Sequence, residues 1–392
     1  MSKIVFFNIP AHGHTNPTLG VVRELISRGH SVWYYSYNLM REKIEETGAV
    51  FVPCDDYDAG QKLSAGDSAR VAKDTAFSVK ILADTTLALD DKVCADMEKI
   101  KPDCIVADSM ALYGKAVAMK LSIPFVSSTT TFAFNRYSAG IMKQGIGDFI
   151  KLLFSMTKIN KQVKRLRDKG YPVKNFIDII GSDDNTHTIV YTSSQFQPCA
   201  ETFSDRYTFV GPSVRDSTNE VIKKKDKLIY ISMGTVNNDM MPFYKTCISA
   251  FRDTDYQVIM SVGNLVSIND FGVLPENISV FTHVDQIAVL KQADAFVSHC
   301  GMNSVSESLY FKVPLLMLPQ TTEQRGVAER VLQLGAGINL KKLCKTSVLN
   351  SVNELLYNNL YKKNAEKIAE GFKKCSGAKG AADKIIKVCN GM

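Results

Sequence analysis

No stretch of about 18 consecutive apolar residues occurs in the chain, so no membrane-spanning helix is expected. No C-x-x-C pair occurs either. The nine cysteines are scattered from Cys54 to Cys389, which leaves zinc and dithiol redox motifs without support. Free thiols in a reducing cytoplasm are the simplest account of an odd number of them. The opening MSKIVFFNIPAHGH holds one lysine and an apolar run too short for a signal-peptide core, and it reads as a first strand. That strand is not followed by G-x-G-x-x-G, which counts against a dinucleotide fingerprint. The net charge of +7 permits contact with anions, but the basic residues are spread along the sequence apart from one cluster. Nucleic acid is therefore not expected as a partner.

At 392 residues the chain exceeds one typical core, and two domains are expected. Apolar runs alternate with helical patterns through the first half. Ile4 to Ile9, Ser31 to Ser36, Val50 to Val52, Asp103 to Ala107 and Pro124 to Ser127 read as strands. Asn16 is expected to cap a helix with Pro17 at its first position and Gly29 at its end. Long helices are expected between Gln61 and Lys99. Such alternation implies parallel, doubly wound sheets with right-handed crossovers. Ligands then bind at the carboxyl ends of the strands. His12 and His14 follow the first strand, and Asp108 ends another at the same edge. A carboxylate beside an imidazole holds its tautomer and stabilises its charged form. The plainer alternatives are a solvated histidine and an aspartate that only caps the next helix.

The basic cluster lies in Lys151 to Lys174. Leu152, Met156, Ile159, Val163 and Leu166 make one apolar stripe, and Lys158, Lys161, Lys164, Arg165, Arg167 and Lys169 surround it. A core-packed helix with a solvated face is the plain reading. A lid over a hydrophobic acceptor, or a foot on an anionic membrane surface, is the sharper one. Ser213 to Lys227 is polar with little apolar pattern and marks a boundary. The expected organisation is residues 1–212, a linker at 213–227, residues 228–374, and a final helix in 375–392.

The second half is organised around Ala293 to Gln324. It reads as strand, tight loop, helix, strand and loop. Gly301 is expected to make a sharp turn that lets backbone approach a ligand. A helix is expected to start near Asn303 and Ser304, its amides and dipole aimed at an anion such as a diphosphate. His299 and Ser304 could add donors. A capping box between Ser304 and Glu307 competes with that reading. Two D-x-D triplets, Asp56-Tyr57-Asp58 and Asp253-Thr254-Asp255, could hold a metal. The second precedes a strand, the wrong edge for a site, and no metal or other cofactor is expected.

HCGMNSVSESLYFKVPLLMLPQTTEQ closely resembles the nucleotide-sugar signature of UDP-dependent glycosyltransferases, above all the bacterial macrolide and flavonoid branch. The resemblance implies the GT-B fold, two Rossmann-like α/β domains facing a cleft. AHGHTNP is similar to the family's G-H-x-x-P segment and VADS to its acidic partner, which implies His14 as base and Asp108 as its partner. It implies donor contacts from Ser128 and its neighbours Thr129 and Thr130, and from Ser232, Gly234 and Thr235 in an S-x-G-[ST] turn. His283-Val284-Asp285-Gln286 stands where the family often has Trp-x-Pro-Gln, so His283, Val284 and Gln286 would face the base. His299, Gly301, Asn303 and Ser304 would meet the diphosphate, Glu307 the ribose, and Glu323 with Gln324 the sugar. The implied activity is inverting transfer of a hexose, glucose first, from a UDP-sugar to a lipophilic small molecule. A peripheral membrane glycolipid glycosyltransferase and a non-catalytic accessory protein are the competing readings.

Overall fold

The computed structural model describes residues 1–55, 74–142, 146–175, 185–235 and 238–391. It divides into two compact units, residues 1–213 with 375–392, and residues 214–374. Gln61 to Lys73 and the triplet Asp56-Tyr57-Asp58 lie outside the described residues.

The first unit is built on a parallel sheet. Its strands are β1 (Lys3–Phe7), β2 (Ser31–Ser36), β3 (Val50–Pro53), β4 (Cys104–Asp108), β5 (Phe125–Thr129), β6 (His187–Val190) and β7 (Tyr207–Phe209). They lie in the order β3-β2-β1-β4-β5-β6-β7. Successive β1 residues serve opposite faces, as a period of two requires. Ile4 and Phe6 join one core with Val22 and Leu25 of α1 (His12–Ser27) and with Ala381, Ile385 and Val388 of the final helix, Gly377–Cys389. Val5 and Phe7 join another. There they meet α3 (Thr75–Ile100), α4 (Leu112–Leu121) and the C-terminal part of α5 (Ile146–Asp168); the short α2 (Arg41–Glu45) precedes β3. Covered on both faces, these strands are apolar throughout, which is why they read as unbroken runs.

The stripe on α5 is covered. Ile159 packs with Ala76 and Val79, while Val163 and Leu166 pack with the α3 and α4 core. Lys158, Lys161, Lys164, Arg167 and Lys169 are exposed, and Arg165 pairs with Asp84 at 2.6 Å. The described part of the stripe is thus inside the unit and offers a bilayer no apolar face. Leu152 lies among residues whose side chains are not described.

The second unit repeats the plan. Its strands are β8 (Lys227–Ser232), β9 (Tyr256–Ser261), β10 (Ile278–Phe281), β11 (Ala295–Ser298), β12 (Leu315–Met317) and β13 (Gly337–Asn339), in the order β10-β9-β8-β11-β12-β13. The helices are α6 (Met241–Phe251), α7 (Gln286–Leu290), α8 (Met302–Tyr310), α9 (Thr322–Gln333), α10 (Lys345–Tyr357) and α11 (Asn359–Lys373). α6 and α10 cover one face through Phe243, Phe251, Val348 and Val352.

In each sheet the chain winds outward in one direction and then returns to start the other. That reversal falls between β1 and β4 in the first sheet and between β8 and β11 in the second. Loops at the carboxyl ends of such neighbours diverge and leave a crevice, the usual ligand position in open α/β sheets. Asp253 and Asp255 lie at the opposite end of the second sheet, before β9, where lysines pair with them: Lys345 at 3.5 Å and Lys225 at 2.6 Å.

Candidate active site

At the first reversal, His14 and Asp108 meet. His14 Nδ1 lies 2.8 Å from Asp108 Oδ2, and the Asp108 side chain is fully enclosed. The other carboxylate oxygen accepts from the Met110 amide at 2.8 Å. With Nδ1–H donating to the carboxylate, the ring's lone pair is on Nε2, the nitrogen that can accept a proton. The Thr130 hydroxyl oxygen sits 3.1 Å from the same Nδ1. Thr130, one of the residues expected near the donor, thus borders the imidazole. Ser128, two positions earlier on β5, has its hydroxyl enclosed beside Tyr191.

The helix that carries His14 starts earlier than Asn16. Ala11 is its N-cap, His12 its first residue, and Pro17 lies inside it. Pro17 removes one backbone bond, and the turn is held instead from below by Asn8. The Asn8 side-chain nitrogen donates to the His14 carbonyl at 3.0 Å and to the Tyr34 hydroxyl at 2.8 Å, and its side-chain oxygen accepts from the Ile9 amide. The Asn8 carbonyl accepts from the Tyr113 hydroxyl at 2.6 Å. His14 therefore occupies an ordered first helical turn instead of a loop. Asn8 was not singled out from sequence; the signal was a polar residue interrupting the run IVFFNIP.

At the second reversal, the loops after β8 and β11 touch through one ring. A Cβ placed on Gly234 would come within 2.6 Å of the His299 imidazole, and one on Gly301 within 2.7 Å of its Nε2. The imidazole is clamped between two glycines. The sharp turn falls at Cys300, with φ 68°, whereas Gly301 has φ −60°. Gly301 is thus needed for space beside His299, and the expected conformational role passes to Cys300. Gly234 has both reasons, with φ 81°.

Burial pushes the His299 pKa down to about 4 against a backbone hydrogen bond to Ser232 that favours the charged form. The ring is neutral at pH 7. Its Nδ1 is enclosed without a hydrogen-bond partner, a state that costs about 1–3 kcal/mol unless a ligand relieves it. The pKa lies below the unfolded value near ~6.5, so the unfolded chain binds the extra proton first. Stability is then expected to fall as pH drops from ~6.5 toward ~4, by roughly 1–2 kcal/mol at pH ~5 from this group. Urea midpoints at neutral and acid pH, for wild type and His299→Gln, check it: the variant should lose less on acidification.

The helix α8 opens beside this ring. Gly301 is its N-cap, no side chain caps it, and no acidic residue occupies its first turn. Asn303 and Ser304 are therefore inside the helix, which opens at Gly301 instead, and Ser304 forms no capping box with Glu307. An uncapped helix start with a positive dipole end is suited to an anion. Ser304 and Glu307 share a face at i, i+3 spacing. Gln286 bridges them: its amide nitrogen donates to Glu307 at 2.5 Å and lies 3.4 Å from the Ser304 hydroxyl. Its carbonyl accepts from the Tyr230 hydroxyl at 3.2 Å. Burial raises the Glu307 pKa, and the Gln286 hydrogen bond and Arg215 charge oppose it.

The remaining expected residues are less closely grouped. His283 is exposed and pairs with Asn264 at 3.0 Å, Val284 is half-buried, and Thr235 is exposed. Ser232 ends β8, with its hydroxyl 3.3 Å from the Gly234 amide. Glu323 is exposed in the first turn of α9. Gln324 completes a capping box with Thr321, its carbonyl accepting from the Gln320 and Thr321 amides at 2.8 and 3.2 Å. Only its amide nitrogen remains to donate to a sugar.

Two doubly wound parallel sheets, each with its own reversal, make up the GT-B architecture. The glycotransferase of kitacinnamycin superposes with a TM-score of 0.86 at 26% identity, covering 99% of this chain and 98% of that one. Residues 219–374 match the family model described as UDP-glucoronosyl and UDP-glucosyl transferase. The uncharacterized UDP-glucosyltransferase YojK of Bacillus subtilis is 32% identical over 404 residues, 99% of this chain and 97% of its own. The demethyllactenocin mycarosyltransferase of Streptomyces fradiae is 30% identical over 86% of this chain and 75% of its own. The chain belongs to the UDP-glycosyltransferase family, and it is an enzyme that takes a sugar from a nucleotide donor. Among the described residues no helix is long and apolar enough to cross a membrane.

Proposed function

We propose that the protein transfers a hexose, glucose in the first instance, from a UDP-sugar to a hydroxyl of a lipophilic small molecule with inversion at the anomeric carbon. The observation that carries this is the 2.8 Å pairing of His14 with the enclosed Asp108. His14 Nε2 takes the acceptor's proton as the new oxygen–carbon bond forms, and Asp108 stabilises the imidazolium. The bond from the anomeric carbon to the diphosphate breaks, and the diphosphate leaves with the electron pair. The amides at the start of α8 receive the leaving group's charge. Glu307 accepts from the ribose hydroxyls, and Glu323 and Gln324 meet the sugar. The lipophilic acceptor is supported by the mycarosyltransferase relative, whose acceptor is demethyllactenocin.

The expected assay result is a mass increase of one hexose on a lipophilic alcohol when the enzyme is given UDP-glucose. NMR of the product from an α-linked donor should show the β-anomer; the α-anomer would sink the inverting mechanism. Charge on the diphosphate is met by protein groups, so the rate should persist in EDTA. Full loss in EDTA, restored by magnesium, overturns that assignment. Parallel assays with TDP-glucose measure base preference, which one methyl group moves by only ~1–3 kcal/mol.

A further inference from the structure

The polar segment before β8 is bound tightly to the second unit. Lys223 pairs with Asp294 at 2.6 Å, the Lys224 amide donates to Gln257, and Lys291 donates to the Ser217 carbonyl at 2.7 Å. The densest attachment is at Asp285. Arg215 donates to Oδ1 at 2.5 Å and to Oδ2 at 3.4 Å. Ser217 and Asn219 each donate to Oδ2 at 2.7 Å. The same carboxylate caps α7, accepting from the Ile287 and Ala288 amides at 3.2 and 3.4 Å. A proline, the residue that resembling sequences often carry here, could supply none of these bonds.

The neighbour of Asp285 is Gln286, whose amide spans Glu307 and Ser304. We infer that Asp285, with Arg215, Ser217 and Asn219, forms a strap that positions Gln286 and the His283–Val284 backbone for the nucleoside of the donor. The strap acts through geometry: it fixes the start of α7 from outside while Tyr230 and Glu307 hold Gln286 from inside. Burial disfavours the charged form of Asp285, yet the hydrogen bonds from Ser217, Asn219 and Arg215 hold its pKa down at about 2. The strap is therefore closed across the working pH range. Asp285, Arg215, Ser217 and Asn219 are positioning residues, and none is assigned to the reacting atoms.

This inference rests on the donor reading given above. The test is calorimetric titration of UDP into the full-length protein, together with initial rates at varied UDP-glucose. Asp285→Asn and Arg215→Ala are expected to weaken UDP binding and raise the donor KM about tenfold. Their kcat and acceptor KM should stay within about twofold of wild type, and Arg215→Lys should recover part of the loss. Thermal unfolding of each variant separates the effect from general destabilisation; Ser217→Ala, a smaller change that removes one strap bond, serves if the others unfold. Wild-type UDP affinity in the Asp285 and Arg215 variants overturns the strap alone. Failure of the wild-type protein to bind UDP overturns the donor reading and the strap with it. A fall in kcat with unchanged donor KM also overturns it.

Discussion

Replacing His14 with alanine is expected to lower kcat about 10²–10⁴-fold, the usual contribution of a positioned general base. UDP binding by calorimetry should change by less than about twofold, because no donor contact is assigned to this ring. The two readouts separate the assignment from misfolding, which would reduce both. Asp108→Asn should fall in the same direction: an amide no longer stabilises the imidazolium, and its NH₂ can turn the ring to the wrong tautomer. An unchanged rate in His14→Ala would remove the base from the proposed mechanism.

Gly234→Ala should produce the largest loss in donor affinity. The new Cβ would lie within 2.6 Å of the His299 ring, a separation side chains do not tolerate. At φ 81° the residue is also in the left-handed region, which costs an L-residue about 1–2 kcal/mol. The imidazole must move, and with it the donor next to the α8 start. UDP affinity is expected to drop at least about tenfold, with a lower unfolding midpoint. Gly234→Ala combined with His299→Ala should regain part of the stability without regaining affinity, since the clash is removed along with the ring while the backbone strain stays. If Gly234→Ala bound UDP as wild type does, the clamp would have no part in donor binding.

Much of this arrangement was legible as pattern. Both sheets are covered on two faces, so IVFF, CIVA, LIYIS and AFVS appear as unbroken apolar runs and are found at the positions expected. Helix starts were harder. Asn16 and Ser304 looked like caps because side-chain propensity favours them, yet the starts are at His12 and Met302, capped by Ala11 and Gly301. Neither start has a side-chain cap: Asn8 supports the first turn of α1, and the His299 ring excludes any side chain from position 301. Thr321 did form a capping box, with Gln324, in a place read only as a sugar contact. Arg215, Ser217 and Asn219 looked like solvated linker residues because their partner, Asp285, lies about seventy positions away.

The sequence by itself determined the alternation of strands and helices, the two sheets and the residue types at each reversal, since these follow from local periodicity and from a long ordered motif. Only the tertiary structure decided which nitrogen of His14 meets Asp108, why positions 234 and 301 must be glycine, and what holds Asp285. His14 with Asp108, Gly234 with His299, and Asp285 with Arg215 are distant in the chain and adjacent in space, and such pairings are set by how the sheets fold, which no local pattern encodes.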